Sequence, residues 1–254
     1  MSKVGVFVGV LGLVTSSVAL VSCSSDFRGP PGKSLSRCDP DALPCQSGQL
    51  CVRGMKKPWQ EAWCVYERNV ARGTYHLPIA AGTPVTCVGS TQNPGPGHDT
   101  FSSIFALDLA SPTAGPAATV VAAREGKIVY VSPPCASGAA TPCNRGLGNF
   151  VLVEHAGNEA SLYAHLASVS VKVGDSLADG QPLGIEGSTG KTNRRAVHFS
   201  VHEIDLALRE DGLVPWWSVP YLLTATHGAE TTPRGADVRD LKCAADGSGT
   251  SLVR

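Results

Sequence analysis

Two stretches of the sequence decide the fold: IFALDL at residues 104–109 and AVHFSVHE at residues 196–203. Both alternate apolar and polar side chains with a period of two, which is the pattern of a β-strand with one face on a core. In the first stretch Asp108 interrupts an otherwise apolar run. In the second, His198, Ser200 and His202 share the face opposite the apolar residues. The two stretches therefore predict core strands whose polar side chains could form a functional site.

The surrounding chain continues this pattern from residue 75 to residue 221. Short runs rich in β-branched and aromatic residues alternate with Gly, Pro, Asn and Asp turns, and no ten-residue helical period competes with them. We predict one all-β domain over residues 75–221, an antiparallel sandwich or barrel-like pair of sheets with one core. The predicted strands are residues 84–88, 104–109, 118–123, 127–132, 149–155, 160–166, 168–173, 182–186 and 196–203.

Composition narrows the classes of partner. The 254 residues include 21 basic and 21 acidic side chains, so the formal net charge is zero. Proteins that bind nucleic acid normally carry a basic surplus or a basic stripe. Here Lys191, Arg194 and Arg195 form only a local patch. The sequence thus argues against a nucleic-acid partner, and its 28 glycines and 18 prolines favour turn-rich β structure over a helical bundle.

The N-terminus has the form of an export signal. Residues 1–22 contain one charge, Lys3, followed by an apolar stretch. The sequence LVSC at residues 20–23 resembles the bacterial lipoprotein signal box, which makes Cys23 a candidate for lipidation and membrane attachment. An uncleaved membrane anchor is the alternative, because about 19 apolar residues can just span a bilayer core of ~30 Å. Either interpretation places residues 24–254 in the cell envelope, outside the cytoplasm.

Three further segments flank the predicted domain. Residues 23–36 are a proline-containing, lipidated tether with no apolar period. Residues 37–66 are a Cys-rich segment, too short to bury a sufficient core without disulfides. Residues 222–254 are expected to be a mostly irregular tail with Cys243 as the only fixed point. The cysteines of the Cys-rich segment, whose pairing the sequence leaves open, are Cys38, Cys45, Cys51 and Cys64.

Four further cysteines make an even total of eight beyond Cys23, as an oxidising compartment favours. We expect Cys135 to pair with Cys143 and to close one loop. Cys87 would then pair with Cys243 and tie the end of the chain to the first strand of the domain.

Several polar residues stand at positions where burial is costly. An unpaired buried carboxylate costs several kcal/mol, so Asp108 needs a compensating group. His198 and His165 lie on strand positions, and His98 lies in a Gly/Pro loop before the Asp108 strand. Such a carboxylate with histidines fits a metal site, and two His with one Asp leave the fourth position open, as in catalytic zinc sites. The other histidines are expected to be structural: His202 as a solvated surface residue, His155 in a hairpin turn, and His76 and His227 without a site.

The order of these motifs resembles the lysostaphin-like (LytM-type) zinc endopeptidases, which cut peptide cross-links in bacterial cell walls. The resemblance extends over residues 98–203. It is carried by FALDLA at 105–110, VVAAREGKI at 120–128, GNFV at 148–151, YAHL at 163–166, VKVGDSLADGQPLG at 171–184, STG at 188–190 and HF at 198–199.

The resemblance implies a compact antiparallel β-sandwich and a Zn²⁺ cofactor. It assigns His98, Asp108 and His198 as the zinc ligands and His165 as a catalytic histidine beside the metal. It also implies peptidoglycan cross-links as the substrate and a zinc metalloendopeptidase as the activity.

One departure from the family pattern bears on activity. The family usually closes with Gly-Pro-His-x-His-Phe, and this chain has Arg194, Arg195 and Ala196 at the first three positions. The histidine missing at Ala196 would help to orient or deprotonate the attacking water. Two functions stay open: a slow zinc endopeptidase, or a non-cleaving lipoprotein that binds peptidoglycan or regulates other wall hydrolases. The Cys-rich segment could in addition bind an unidentified envelope protein.

Overall fold

The structure, a computed structural model, describes residues 37–38, 45, 49–53, 62–66, 70–90, 98, 103–136, 143–204, 217–227, 230–231, 235–244 and 246–254. All of them lie in one structural unit, Leu35–Arg254. The predicted signal segment, the tether and Cys23 lie outside the described residues. Within the described residues, no helix is long and apolar enough to cross a membrane.

The described residues are almost entirely β-structure, with short 3₁₀ turns at Asn144–Gly146 and Val238–Asp240. The first strands are β1 (Arg37–Cys38), β2 (Gln49–Arg53), β3 (Ala62–Tyr66), β4 (Thr74–His76), β5 (Val85–Gly89), β6 (Leu107–Ala110), β7 (Thr119–Val121), β8 (Gly126–Val131), β9 (Asn149–His155) and β10 (Glu159–Leu166). The later strands are β11 (Ser168–Val169), β12 (Ser176–Leu177), β13 (Pro182–Ile185), β14 (Val197–Glu203), β15 (Trp217–Ser218), β16 (Leu222–Thr224), β17 (Thr226–His227), β18 (Glu230–Thr231), β19 (Ala236–Asp237) and β20 (Ser251–Leu252).

One large antiparallel sheet positions the site. Its strands follow the order β12-β8-β9-β10-β14-β6-β5-β20, and β15 pairs with β14. A smaller sheet, β11-β13-β7, carries the segment that leads into the Ser-Thr-Gly turn. A third, β19-β16-β4, contains the parallel pair β16·β4. The all-β prediction for the main domain is confirmed. The two quoted stretches contribute to the neighbouring strands β6 and β14, although residues 104–106 precede β6 and are not in a strand.

An aromatic core fixes which way β14 faces. Phe199 packs against Tyr163 and Tyr221, with ring centroids 5.2 and 5.4 Å apart. The predicted apolar face of β14, Val197, Phe199 and Val201, is fully buried. Burying a side chain of this size contributes roughly 1.5–3 kcal/mol, so a one-residue slip that turned this face outward would be strongly disfavoured. The core thereby directs His198 to the opposite face.

His155 corrects the expectation of a hairpin-turn residue. It ends β9 but is 5% exposed. Its Nδ1 lies 2.7 Å from the carbonyl oxygen of Glu125, and its Nε2 lies 2.8 Å from Oγ of Ser161. Burial lowers the pKa of His155. This histidine is therefore a hydrogen-bonded core residue, because buried polar groups need partners.

A buried carboxylate stands at the same end of the sheet. Glu159 accepts hydrogen bonds from the backbone N–H of Gly73 at 3.2 Å, from Oη of Tyr75 at 3.0 Å and from Nη1 of Arg124 at 2.9 Å. The ionised group is thus fully supplied with donors, which is the condition for burying it. Arg124 and Glu159 thus form a structural ion pair that includes none of the predicted site residues.

The C-terminal segment differs from its prediction. Cys243 forms the expected disulfide with Cys87, but it is not the only fixed point. Leu252 on β20 is 1% exposed and pairs with β5, and Val238 and Leu241 are each 4% exposed. The apolar residues scattered among the Gly and Asp of this segment bury against the domain, and a composition average does not detect them.

The remaining cysteine predictions have different outcomes. Cys135 and Cys143 form the expected disulfide. Cys45 is disulfide-bonded. The strand register of β2 and β3 places Cys51 opposite Cys64, and Cys38 ends β1, but their side chains lie outside the described part of the chain.

Candidate metal centre

The pairing of β6 with β14 brings the first two candidate ligands together. His198 lies directly opposite Asp108 in the antiparallel register. Nδ1 of His198 is 2.8 Å from Oδ1 of Asp108. Directly opposed strand residues stand close enough for side-chain contact. The contact therefore follows from the register that the two apolar faces impose.

His98 supplies the third group from the preceding loop. Its side chain is almost fully buried, and its Nε2 lies 3.0 Å from Oδ2 of Asp108. Its Nδ1 lies 3.1 Å from the carbonyl oxygen of Ala106. Because a carbonyl oxygen can only accept, Nδ1–H donates to Ala106, and Nε2 is the ring nitrogen that faces the carboxylate. The carbonyl contact thereby fixes the orientation of the ring.

Asp108 is held in its ionised form. Burial raises the pKa of its carboxyl group, but hydrogen bonds and charge interactions with His198 and His98 outweigh burial and keep the pKa well below its ordinary value. Gly89, opposite Asp108 on β5, leaves room for the carboxylate, because a Cβ at Gly89 would stand 2.9 Å from Oδ2. The site thus combines one carboxylate with two imidazoles.

The three side chains fit a transition-metal ion. Their ligand atoms all lie within 4.8 Å of one another. Zn²⁺ with ligand bonds of about 2.0–2.2 Å in tetrahedral geometry places its ligand atoms roughly 3.3 Å apart. The His–Asp separations of 2.8 and 3.0 Å are close to that value. The structure thus brings the three predicted residues together in a donor set suited to zinc.

His165 approaches the same cluster from β10. Its ring centroid lies 5.8 Å from that of His198. The register of β10 against β9 shifts between Tyr163 and Leu166, and His165 has φ of 63°. This bulge breaks the strict alternation expected for the strand, because an inserted residue re-aims the side chains beside it. The backbone of His165 is thus held in the left-handed region, where non-glycine residues are uncommon.

One hydrogen bond fixes the tautomer of His165. Its Nδ1 lies 2.8 Å from the backbone carbonyl oxygen of Thr189, so Nδ1–H donates and Nε2 keeps its lone pair. Burial, together with the neighbouring His198, lowers the pKa of His165 to about 4. Near neutral pH the ring is therefore an uncharged acceptor beside the three-residue cluster.

Thr189 is a supporting residue that the sequence reasoning did not single out. It is fully buried. Its hydroxyl donates to the carbonyl oxygen of Leu166 at 2.8 Å and accepts from the backbone N–H of Asn149 at 2.9 Å. Three segments around His165 are thereby joined at one side chain. The Ser-Thr-Gly turn was recognisable in the sequence, but its role in holding the His165 ring was not.

The departure at residues 194–196 has a distinct structural form. Ala196 is 2% exposed, and its backbone N–H donates to the carbonyl oxygen of Gly187 at 2.9 Å. The guanidinium of Arg195 bonds to the segment after β6, with Nη2 3.0 Å from Oγ of Ser111. Where the family pattern has a histidine, this chain thus has a small buried residue, Ala196. The adjacent Arg195 makes intramolecular contacts.

His202 corrects the expectation of a solvated surface histidine. It is fully buried, and its Nε2 lies 2.7 Å from Oγ of Ser200 on the same strand. The strand alternation correctly placed it on the face of His198. Alternation alone could not show that this face is covered at residue 202.

Comparison with known proteins places the site in a family context. Residues 105–209 match the model of Peptidase family M23. This segment includes Asp108, His165 and His198, and His98 precedes it.

Curated proteins from several bacteria resemble part of the chain. It is 34% identical over 95 residues to the cell division protein DipM of Caulobacter vibrioides, covering 37% of this chain and 14% of DipM. It is 30% identical over 95 residues to the uncharacterized lipoprotein YgeR of Escherichia coli, covering 37% and 33%. It is 34% identical over 92 residues to the glycyl-glycine endopeptidase ALE-1 of Staphylococcus capitis, covering 35% and 24%. The similarity thus spans a third or less of each relative.

Proposed function

Because residues 105–209 form a domain of peptidase family M23, we propose that this protein is a zinc metalloendopeptidase that hydrolyses peptide cross-links of peptidoglycan. The observation that carries the proposal is the convergence of His98, Asp108 and His198 beside His165. The similarity to an endopeptidase, ALE-1, supports the reaction class.

Three side chains would hold the ion: His98 through Nε2, His198 through Nδ1, and Asp108 through its carboxylate. When bound, Zn²⁺ would act as a Lewis acid and lower the pKa of a water at its open position. The Ala106 carbonyl contact would keep His98 in the tautomer whose Nε2 is free to bind. The ligand set leaves one position for water or substrate, as a catalytic site requires.

His165 would handle the proton. With Nδ1–H held by Thr189, its Nε2 is available to accept a proton from the attacking water. A ring in this tautomer offers no donor at Nε2 until it has taken that proton. We therefore assign His165 to holding and deprotonating the water. Stabilising the developing oxyanion would be a later role, after the ring is protonated.

Ala196 makes the proposed enzyme slow. A histidine at this position would lie on the same face as His198, about 7 Å along the strand. Ala196 offers no group that can transfer a proton, so His165 acts without the partner that the family pattern provides. A general acid or base typically contributes 10²- to 10⁴-fold to a rate.

Restoring a histidine should therefore raise activity. We expect Ala196→His to increase the rate of cross-link cleavage by about 10²-fold, because a second imidazole would assist His165. Initial rates on purified cross-linked wall, with zinc content and thermal unfolding measured on the same preparation, check this. Ala196→Asn is the matched control, since it adds a polar side chain that cannot take up a proton. An equal gain in both variants would contradict the proton-transfer explanation.

The proposed location is the cell envelope, with the protein attached to a membrane through lipidated Cys23. The LVSC signal at residues 20–23 supports this proposal, and the matched relatives include a cell division protein and a lipoprotein. The disulfides Cys87–Cys243 and Cys135–Cys143 also favour an oxidising compartment.

Digestion of purified cross-linked peptidoglycan tests the activity. Full-length protein, held in detergent and loaded with zinc, is expected to release fragments whose masses show hydrolysis of a peptide cross-link. Removal of zinc with a chelator should stop the release, and added zinc should restore it. Tight binding to the wall by folded, zinc-loaded protein without any release would instead support the second candidate, a non-cleaving wall-binding or regulatory lipoprotein, which Ala196 favours.

A further inference from the structure

A buried polar cluster joins the three segments that carry the site. Glu186 directly follows β13, and its side chain is fully buried. Its carboxylate accepts from the backbone N–H of Ser111 at 2.9 Å, from the backbone N–H of Ala118 at 3.0 Å and from the Ser111 hydroxyl. Nε of Arg195 lies 3.5 Å from Oε2 of Glu186. We call Glu186, Arg195 and Ser111 the Glu186–Arg195 clamp.

The guanidinium of the clamp binds one further segment. Its Nη1 donates to the carbonyl oxygen of Gly115 at 3.1 Å, and its Nη2 donates to that of Pro112 at 2.6 Å and to Oγ of Ser111 at 3.0 Å. The planar fork of arginine suits such a multiple contact, and lysine could not reproduce it. Arg195 therefore fixes the segment that follows β6.

The clamp lies where the β6·β14 ladder ends. The paired residues are Phe199 with Leu107, His198 with Asp108, and Val197 with Leu109. Continuing this register brings Arg195 opposite Ser111, and the side-chain contacts of the clamp join the strands there in place of backbone pairs. The ligands Asp108 and His198 each stand three residues from a clamp residue along the chain. A change in the clamp would thus alter how the two ligand-bearing strands are held.

The third segment reaches the catalytic histidine. Glu186 precedes the turn that contains Thr189, whose carbonyl oxygen holds Nδ1 of His165. The Gly187 carbonyl oxygen in the same turn accepts from the backbone N–H of Ala196. The Glu186 carboxylate is therefore linked to three parts of the site. It contacts Ser111 after the Asp108 strand and Arg195 before the His198 strand, and it directly precedes the turn that orients His165.

We propose that Glu186 and Arg195 are positioning residues, which set the separation of Asp108 and His198 and thereby the zinc affinity of the site. This proposal rests on the proposed function, because it needs zinc as the resident ion. It adds a role for Arg195, which occupies the place of the family's proline.

The test measures zinc affinity and ligand geometry on the full-length protein. Zinc affinity is measured by competition with a chromophoric chelator, and geometry from the visible absorption spectrum of the Co²⁺-loaded protein. Arg195→Met and Glu186→Gln are each expected to weaken zinc binding by about tenfold, the lower end of the loss typical for outer supporting residues, and to shift the Co²⁺ bands. The double variant should lose clearly less than the roughly hundredfold that two independent tenfold losses would give, since both changes break one clamp.

A second arginine paired with a buried carboxylate provides the matched control. Arg124 bonds to buried Glu159 at 2.9 Å, in a network without a candidate ligand. Arg124→Met is expected to lower the thermal midpoint of unfolding but to leave the zinc affinity and the Co²⁺ spectrum unchanged. Arg195→Met must change both readouts; if it lowers only the thermal midpoint, as Arg124→Met does, the clamp is merely structural and the proposal is overturned.

Two further outcomes distinguish failure of the clamp proposal from failure of the proposed function. If Arg195→Met does not fold, Ser111→Ala decides, because it removes only the shared hydroxyl: weaker zinc binding supports the clamp, and unchanged binding overturns it. Absence of zinc binding by the folded wild-type protein overturns the proposed function and the clamp proposal together. Zinc binding that the clamp variants leave unchanged overturns the clamp proposal alone.

Discussion

Asp108→Ala is expected to abolish detectable hydrolysis and to weaken zinc binding by on the order of 10²- to 10³-fold. Structural zinc sites bind with apparent free energies of about 10–16 kcal/mol, which corresponds to roughly 2.5–4 kcal/mol for each of four ligands. Removing Asp108 also leaves the nitrogen atoms of His98 and His198 without the carboxylate that they contact at 3.0 and 2.8 Å. Chelator competition measures the affinity, and mass spectrometry of released wall fragments measures the hydrolysis.

A second His–Asp contact provides the control for this variant. Asp179 lies 3.0 Å from Nδ1 of His76 and 2.8 Å from Nη2 of Arg254, on the surface. Exposed ion pairs contribute about 0–1 kcal/mol, so Asp179→Ala should leave zinc binding and cleavage unchanged. If Asp108→Ala binds zinc at the wild-type stoichiometry and affinity, Asp108 is not a ligand and the site assignment fails.

His165→Ala is expected to spare the metal and to lower the rate of cleavage by about 10²- to 10⁴-fold, the usual contribution of a general base. The loss should appear in kcat, with zinc affinity within about twofold of the wild type, because His165 is outside the three-residue ligand set. Because Ala196 supplies no second imidazole, the upper part of this range is expected. Single-turnover cleavage with zinc content measured in parallel checks the result.

The opposite pattern would reassign His165. Loss of zinc together with loss of cleavage would make it a ligand, and unchanged cleavage would remove it from the mechanism. His76→Ala is the control, since this histidine contacts Asp179 on the surface and is expected to leave both readouts unchanged.

The histidines show what strand alternation can predict and what it cannot. Alternation placed Asp108 and His198 on the polar faces of their strands, and both predictions of facing agree with the buried apolar residues on the opposite side. The same reasoning treated His202 as solvated and His155 as a turn residue, and both are buried. The side of a strand to which a side chain points depends on its neighbours along the chain. Whether that side is buried depends on which distant segment covers it.

His165 shows a second limit. The sequence marked it as a candidate from its motif, but its side-chain direction comes from a register shift in β10 and from a positive φ. A bulge is a property of the pairing between two strands and has no fixed local signature. Its hydrogen bond to Thr189 joins residues that are distant in sequence, and no period relates them.

By itself, the sequence determined the all-β class, the strands that carry Asp108 and His198, and the candidate residues, because alternation, turn residues and motif order are local properties of the chain. Only the tertiary structure decided that His98, Asp108 and His198 converge, that His165 presents Nε2, and that Arg195 bonds to Ser111 beside Glu186. These features depend on strand register and on contacts between distant segments, which the packing of the whole domain selects.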